Sequence, residues 1–150
     1  MDFDHRDPSE KSFHIGRRGP YLSRKRLLAE LRKCDVVCAN CHRVRTLIQH
    51  RERLAGVTRA TGAKIEYQRA RWRANAAILD QLRDVPCADC GGRFPPCAME
   101  FDHRDASTKV ADVTRMINKA RSRMLAEADK CDIVCTNCHR NRTYLRRNAA

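Results

Sequence analysis

Aromatic residues are scarce, at 5% of the chain with a single Trp, so there is little material for a large packed core. Long apolar runs are missing as well. No stretch approaches the roughly 18 apolar residues that a membrane span needs, so no membrane partner is expected. Met1 is followed at once by Asp2, Asp4, His5 and Arg6 rather than by an apolar leader, which predicts a chain kept in the cytoplasm. Negative charge is the third shortage. Asp and Glu number 18 against 31 Lys and Arg, for a net charge of +13 and a pI near 9.8. Such an excess suits a polyanionic partner, nucleic acid first, because Lys and Arg release its condensed counterions. A solvated basic surface would carry the same charge.

Cysteine, by contrast, is abundant. There are nine in 150 residues, and in a reducing compartment paired cysteines read as metal ligands rather than disulfides. The odd count agrees, since a disulfide framework would leave one thiol over. A chain of this length makes one ordinary domain or two very small ones, and very small domains usually need a staple.

An internal repeat decides the organisation. Phe3-Asp4-His5-Arg6-Asp7 recurs as Phe101-Asp102-His103-Arg104-Asp105. Residues 23–46 align without gaps to 120–143, with 16 of 24 positions identical. Both stretches carry Leu-Ala-Glu, then Lys-Cys-Asp, then Cys-x-Asn-Cys-His-Arg-x-Arg-Thr. We therefore expect a truncated first copy over residues 1–48, a linker over 49–62 marked by Gly56, Thr58, Thr61 and Gly62, and a complete copy over 63–150.

Residues 63–83 have helical periodicity. Ile65, Trp72, Ala76, Leu79 and Leu82 fall near one face, Arg69, Arg71 and Arg73 lie largely elsewhere, and Pro86 ends the pattern. This predicts a basic lead-in helix with an apolar packing stripe. A knuckle-like turn follows at Cys87-Ala88-Asp89-Cys90-Gly91-Gly92. Short strands are predicted near 98–102 and 132–134, with loop and helix between them over 110–127 and a last helix over 137–146. The fold class is α+β: a strand pair followed by a helix, with a helical insertion between the strands.

Cys87/Cys90 and Cys135/Cys138 can supply a tetrahedral four-cysteine zinc site, because a two-residue gap lets two thiolates of one turn converge on one ion. Zinc would then join segments 44 residues apart and help stabilise a core too small to fold unaided. Cys38/Cys41 precede Cys87/Cys90 by 45 residues, so the knuckle could instead close onto the first copy. Cys97 and Cys131 stand outside these pairs and read as small buried hydrophobes.

The order Cys-x-x-Cys, Phe-Asp-His, Cys-x-x-Cys-His resembles the HNH endonucleases of the ββα-metal (His-Me finger) superfamily, especially phage and actinobacterial members with Cys-rich knuckles. The likeness spans residues 63–146 and, truncated, 2–46. It implies a small zinc-stapled ββα-metal domain that hydrolyses DNA. It pairs Cys87/Cys90 with Cys135/Cys138, since the family's first pair lies upstream of Asp-His. By position, Asp102 and His139 would hold a catalytic Mg²⁺ or Mn²⁺, and His103 would be the general base. Asn137 would orient the loop. Where many members have a further His, this chain has Thr143, so two protein ligands remain. The chemistry suits these types: a metal polarises the phosphate and stabilises the departing 3′ oxygen. An imidazole of ordinary pKa, about 6.5, accepts a proton near neutrality. Arg140, Arg142, Arg146 and Arg147 of the last helix would grip the DNA backbone; a solvated helix face would look the same.

The first copy keeps Asp4, His5, Cys38, Cys41 and His42 but has no knuckle before Asp4. Either this copy has degenerated or the true start lies upstream and Met1 is an internal methionine. As it stands, we expect the copy to be loosely ordered, at most a basic DNA-binding arm, with catalysis confined to the second copy. A non-catalytic zinc-knuckle DNA-binding protein is the main alternative. The Cys-x-x-Cys-His units also match c-type haem attachment, but that reading leaves Cys87/Cys90 and the repeated Phe-Asp-His-Arg-Asp without a purpose.

Overall fold

The computed structural model describes residues 1–57 and 60–149; the linker marker Thr58 lies outside them. The fold is small α+β with two separate two-stranded antiparallel sheets. The first sheet pairs β1 (Asp2–His5) with β2 (Cys34–Val37), and His5 sits opposite Cys34. Between the strands run a short helix α1 (Ile15–Arg18) and a longer α2 (Arg24–Leu31). Ser23 caps α2 by accepting from the Arg26 N–H at 3.5 Å, as a hydroxyl does at a helix start. α3 (Ala39–Leu54) follows β2 directly. It continues past the boundary drawn at residue 48, because no Gly or Pro interrupts it before Gly56, where φ is +79°.

α4 (Ala63–Leu82) is the lead-in helix. Next come β3 (Met99–His103), α5 (Arg121–Ala128), β4 (Cys131–Cys135) and α6 (Thr136–Asn148). β3 and β4 pair with His103 opposite Cys131, the counterpart of His5 opposite Cys34. The predicted strands, intervening helix and last helix are all present, each within a few residues of its expected place.

The core lies in the C-terminal half, in two clusters. One joins Leu79 of α4 to Val113, Met116, Met124, Ala128 and Cys131, with Phe101 packed against it. The other gathers Cys87, Met99, Val134 and Cys135, with Phe94 and Ile133 alongside. Cys131 is buried as expected, while Cys97 is half-buried. The apolar stripe of α4 is not the packing face that its periodicity predicts. Ile65, Trp72 and Leu82 are exposed and only Leu79 is sealed, because α4 packs mainly on the 113–118 segment. There a polar residue replaces the predicted stripe: the buried Asn75 amide donates to the Ile117 carbonyl at 2.8 Å.

The first copy is not a loose arm. Its α3 packs onto α6 and residues 96–98 of the second copy, and Asp2 of β1 pairs with Arg140 of α6. Among the described residues, no helix is long and apolar enough to cross a membrane.

Candidate metal centres

The knuckle begins directly after Pro86. Gly91 takes a φ of +68°, a left-handed turn that favours glycine, while its N–H donates to the Cys87 carbonyl at 2.9 Å. The Cys87 N–H donates to the Gly92 carbonyl at 2.9 Å, and the Ala88 N–H donates to the Ile133 carbonyl at 2.9 Å. That last bond sets the knuckle against β4. β4 ends in Cys135, which caps the start of α6, and Cys138 lies in the first turn. One ligand atom from each of Cys87, Cys90, Cys135 and Cys138 lies within 4.8 Å of the others, a grouping that four thiolates can close around zinc at about 2.3 Å.

The thiol electrostatics ask for a cation. Burial pushes the Cys87 thiol up, but the backbone N–H groups of Cys90, Cys135 and Asp89 outweigh it and bring the pKa to about 6. Burial and the neighbouring thiols push Cys138 far above the ordinary range. Crowded sulfurs cannot all ionise beside one another, and a divalent ion removes the conflict. The donor set therefore fits structural zinc, and the pairing with the knuckle falls to the second copy, leaving Cys38/Cys41 apart. The second copy's Cys-x-x-Cys, which a haem would need, belongs to this cluster.

Strand alternation then sorts the Asp-His pair. Glu100 and Asp102 face α6, where His139 meets both: its Nε2 lies 3.4 Å from Asp102 Oδ1, and its Nδ1 bonds Glu100. The hydrogen bond that His139 donates to the Glu100 carboxylate raises the His139 pKa against the opposing effect of burial. His103 points to the other face, where Nε2 meets Glu127 Oε1 of α5 at 2.8 Å, both side chains buried. Asp102 is only 3% exposed. Burial works to raise its pKa, but hydrogen bonds from Arg146 and Arg142 prevail and hold it below the ordinary carboxylate value.

The first copy repeats this arrangement. His42 Nε2 lies 3.6 Å from Asp4 Oδ1, its Nδ1 lies 2.9 Å from Asp2 Oδ2, and His5 Nε2 meets Glu30 Oε1 at 2.9 Å. An Asp oxygen and a His nitrogen this close have the chemistry to share a hard divalent cation, at about 2.1 Å, where no other cation engages the carboxylate.

Other expected site residues are placed elsewhere. Asn137, expected to orient its loop, accepts through its side chain from the Ala39 N–H at 3.0 Å, while its own N–H donates to Asn40 Oδ1 at 3.1 Å. It joins the two copies. Of the four arginines expected to hold DNA, Arg142 pairs with Asp89, Asp102 and Asp132. Arg146 pairs with Asp102, and Arg140 with Asp2. Arg147 is exposed and makes no ion pair among the described residues.

Sequence reasoning missed Glu30 and Glu127 as the partners of His5 and His103, and Asp2 and Glu100 as the partners of His42 and His139. The repeated Leu-Ala-Glu was the available signal for the first pair. An acidic residue two before each strand Asp was the signal for the second. No family model, curated protein or solved structure matches the chain.

Proposed function

We propose that this is a metal-dependent endonuclease of the HNH type, built as a tandem duplication and stapled by one structural zinc. The observation carrying the proposal is the doubled site. Each strand pair sets an Asp against the His that follows the last cysteine of its Cys-x-x-Cys, at 3.4 and 3.6 Å. Each also backs the strand His with a buried Glu.

A divalent ion bound by such an Asp-His pair supplies a Lewis acid for the phosphodiester and for the departing 3′ oxygen. The chain's own groups do the rest. Glu127 and Glu30 take the Nε2 proton side of His103 and His5, which leaves Nδ1 as the lone pair able to accept a proton from water. The net charge of +13 draws the phosphate backbone to the protein, with exposed Arg147 at the end of α6 one of its contacts.

Supercoiled plasmid with Mg²⁺ or Mn²⁺ tests this. Wild type should nick or linearise it, and His5→Ala with His103→Ala in one chain should lower the rate at least roughly 100-fold, the lower range for a general base, while zinc content and DNA affinity persist. Equal rates in wild type and the double variant exclude these imidazoles as bases. A specific observation favours the rival reading of a non-catalytic DNA-binding protein: Arg142 and Arg146 already neutralise Asp102. Gel retardation without cleavage under either metal is its signature.

A further inference from the structure

The two Asp-His pairs differ in one respect that the repeat itself exposes. In the second copy, Arg146 grips Asp102 with both nitrogens, at 2.8 Å to Oδ1 and 2.7 Å to Oδ2, while Arg142 adds a third bond to Oδ2 at 2.9 Å. Both carboxylate oxygens are therefore engaged by guanidinium. A metal ion would have to displace a bidentate charged pair from an almost fully buried acid. In the first copy the position of Arg146 is held by Gln49. Arg45, the counterpart of Arg142, reaches Asp4 at only 3.4 Å and makes its closer bond, at 2.9 Å, to Asp35. Asp4 keeps an oxygen facing His42 with no guanidinium on it.

The surroundings differ in the same sense. Asp4, His5 and His42 line one open cavity of about 720 Å³, with Asp2, His14 and Gln49 also on its wall. Lys11 stands at the same cavity, and Arg140, already paired with Asp2, forms another part of its wall. The cavities beside His139 include neither Asp102 nor His103 in their walls.

We infer that the first copy holds the exchangeable divalent cation, on Asp4 and His42, and that Arg146 occupies the equivalent place in the second copy as a built-in cation. The first copy carries the open site, and the zinc-stapled copy is its scaffold. Extending this to cleavage at the first copy rests on the nuclease reading; the metal assignment does not.

Mn²⁺ binding to the full zinc-loaded chain, read by electron paramagnetic resonance of free Mn²⁺, decides it. Wild type should take up one Mn²⁺ per chain. Asp4→Asn should weaken that binding at least tenfold, and Gln49→Arg, which installs the second copy's guanidinium, should do the same. Arg146→Gln should add a second Mn²⁺ by freeing Asp102. The inference is overturned if wild type binds no Mn²⁺, if Asp102→Asn removes the wild-type site while Asp4→Asn keeps it, or if Gln49→Arg and Arg146→Gln leave the stoichiometry unchanged. Plasmid cleavage on the same variants separates the two readings: Mn²⁺ uptake that follows Asp4 and Gln49 without any cutting keeps the metal site and removes the nuclease.

Discussion

Glu127 serves four partners with two oxygens. Oε1 accepts from the backbone N–H groups of Val110 at 2.7 Å and Ala111 at 3.3 Å and meets His103 at 2.8 Å, while Oε2 takes Lys130 at 2.7 Å. One carboxylate thus fixes the loop entering residues 110–111, the strand imidazole and the end of α5. The Lys130 hydrogen bond leads in lowering its pKa, burial opposes, and the backbone N–H groups and His103 assist, leaving a value of about 2 against an ordinary 4.5. A depressed acid stabilises the fold fully above its unfolded value, and the contribution drains away as pH falls toward the folded value. Wild-type stability should therefore decline between about pH 4.5 and 2. Glu127→Gln should be less stable at pH 7 and lose part of that acid sensitivity. Urea midpoints measured from about pH 7 down to about 2.5 check this, and parallel profiles for the two proteins would show that ionised Glu127 anchors nothing.

The elements show where a sequence speaks and where it is silent. The strands at 99–103 and 131–135 and the helix behind them were legible because apolar pairs alternate with charge and the copy at 2–54 repeats them. The cysteine pairs were legible as metal ligands from their spacing. Spacing left Cys38/Cys41 as an alternative partner for the knuckle, however, and only the family resemblance chose Cys135/Cys138. The buried face of α4 was not, because periodicity ranks side chains by polarity and the partner at residues 113–118 offered a carbonyl that suits Asn75. The occupancy of Asp102 was equally hidden, since a helix arginine looks the same in sequence whether it meets solvent or a carboxylate two elements away. The staple itself yields a firm expectation. Cys87 and Cys135 are buried within the cluster that also holds Met99 and Val134, so ligand loss and core loss coincide. Cys87→Ser should unfold the C-terminal half or release its zinc, whereas Cys41→Ser, at an exposed thiol, should leave the metal in place. Mass spectrometry of the native protein should find one zinc per chain, and a fully folded, zinc-replete Cys87→Ser protein contradicts the pairing.

At the scale of the whole molecule the copies clasp each other reciprocally. Arg43 of α3 pairs with Glu100 beside the second copy's imidazole, and Arg140 of α6 pairs with Asp2 beside the first copy's, the latter at 2.5 Å. Each acid also holds the Nδ1 of its own site's His, so each Asp-His pair is braced by an arginine from the other copy. Between these ion pairs, Asn137 accepts from the N–H of Ala39 and Asn40 accepts from the N–H of Asn137. The starts of α3 and α6 thus satisfy one another's end groups. Magnitudes separate the two kinds of contact. Arg43 and Arg140 are each about half exposed, and exposed pairs contribute about 0–1 kcal/mol. Asn40 is 5% exposed, and removing a buried partner from a hydrogen bond costs about 1–3 kcal/mol. Asn40→Ala should therefore destabilise the chain more than Arg43→Ala or Arg140→Ala. Asn40→Ala and Asn137→Ala should be strongly non-additive, because both act on the same pair of helix starts. A double-mutant cycle by urea unfolding measures this directly: a coupling of about 0.5 kcal/mol or more is expected, and additive effects would mean that the two copies stand beside each other without the asparagine clasp.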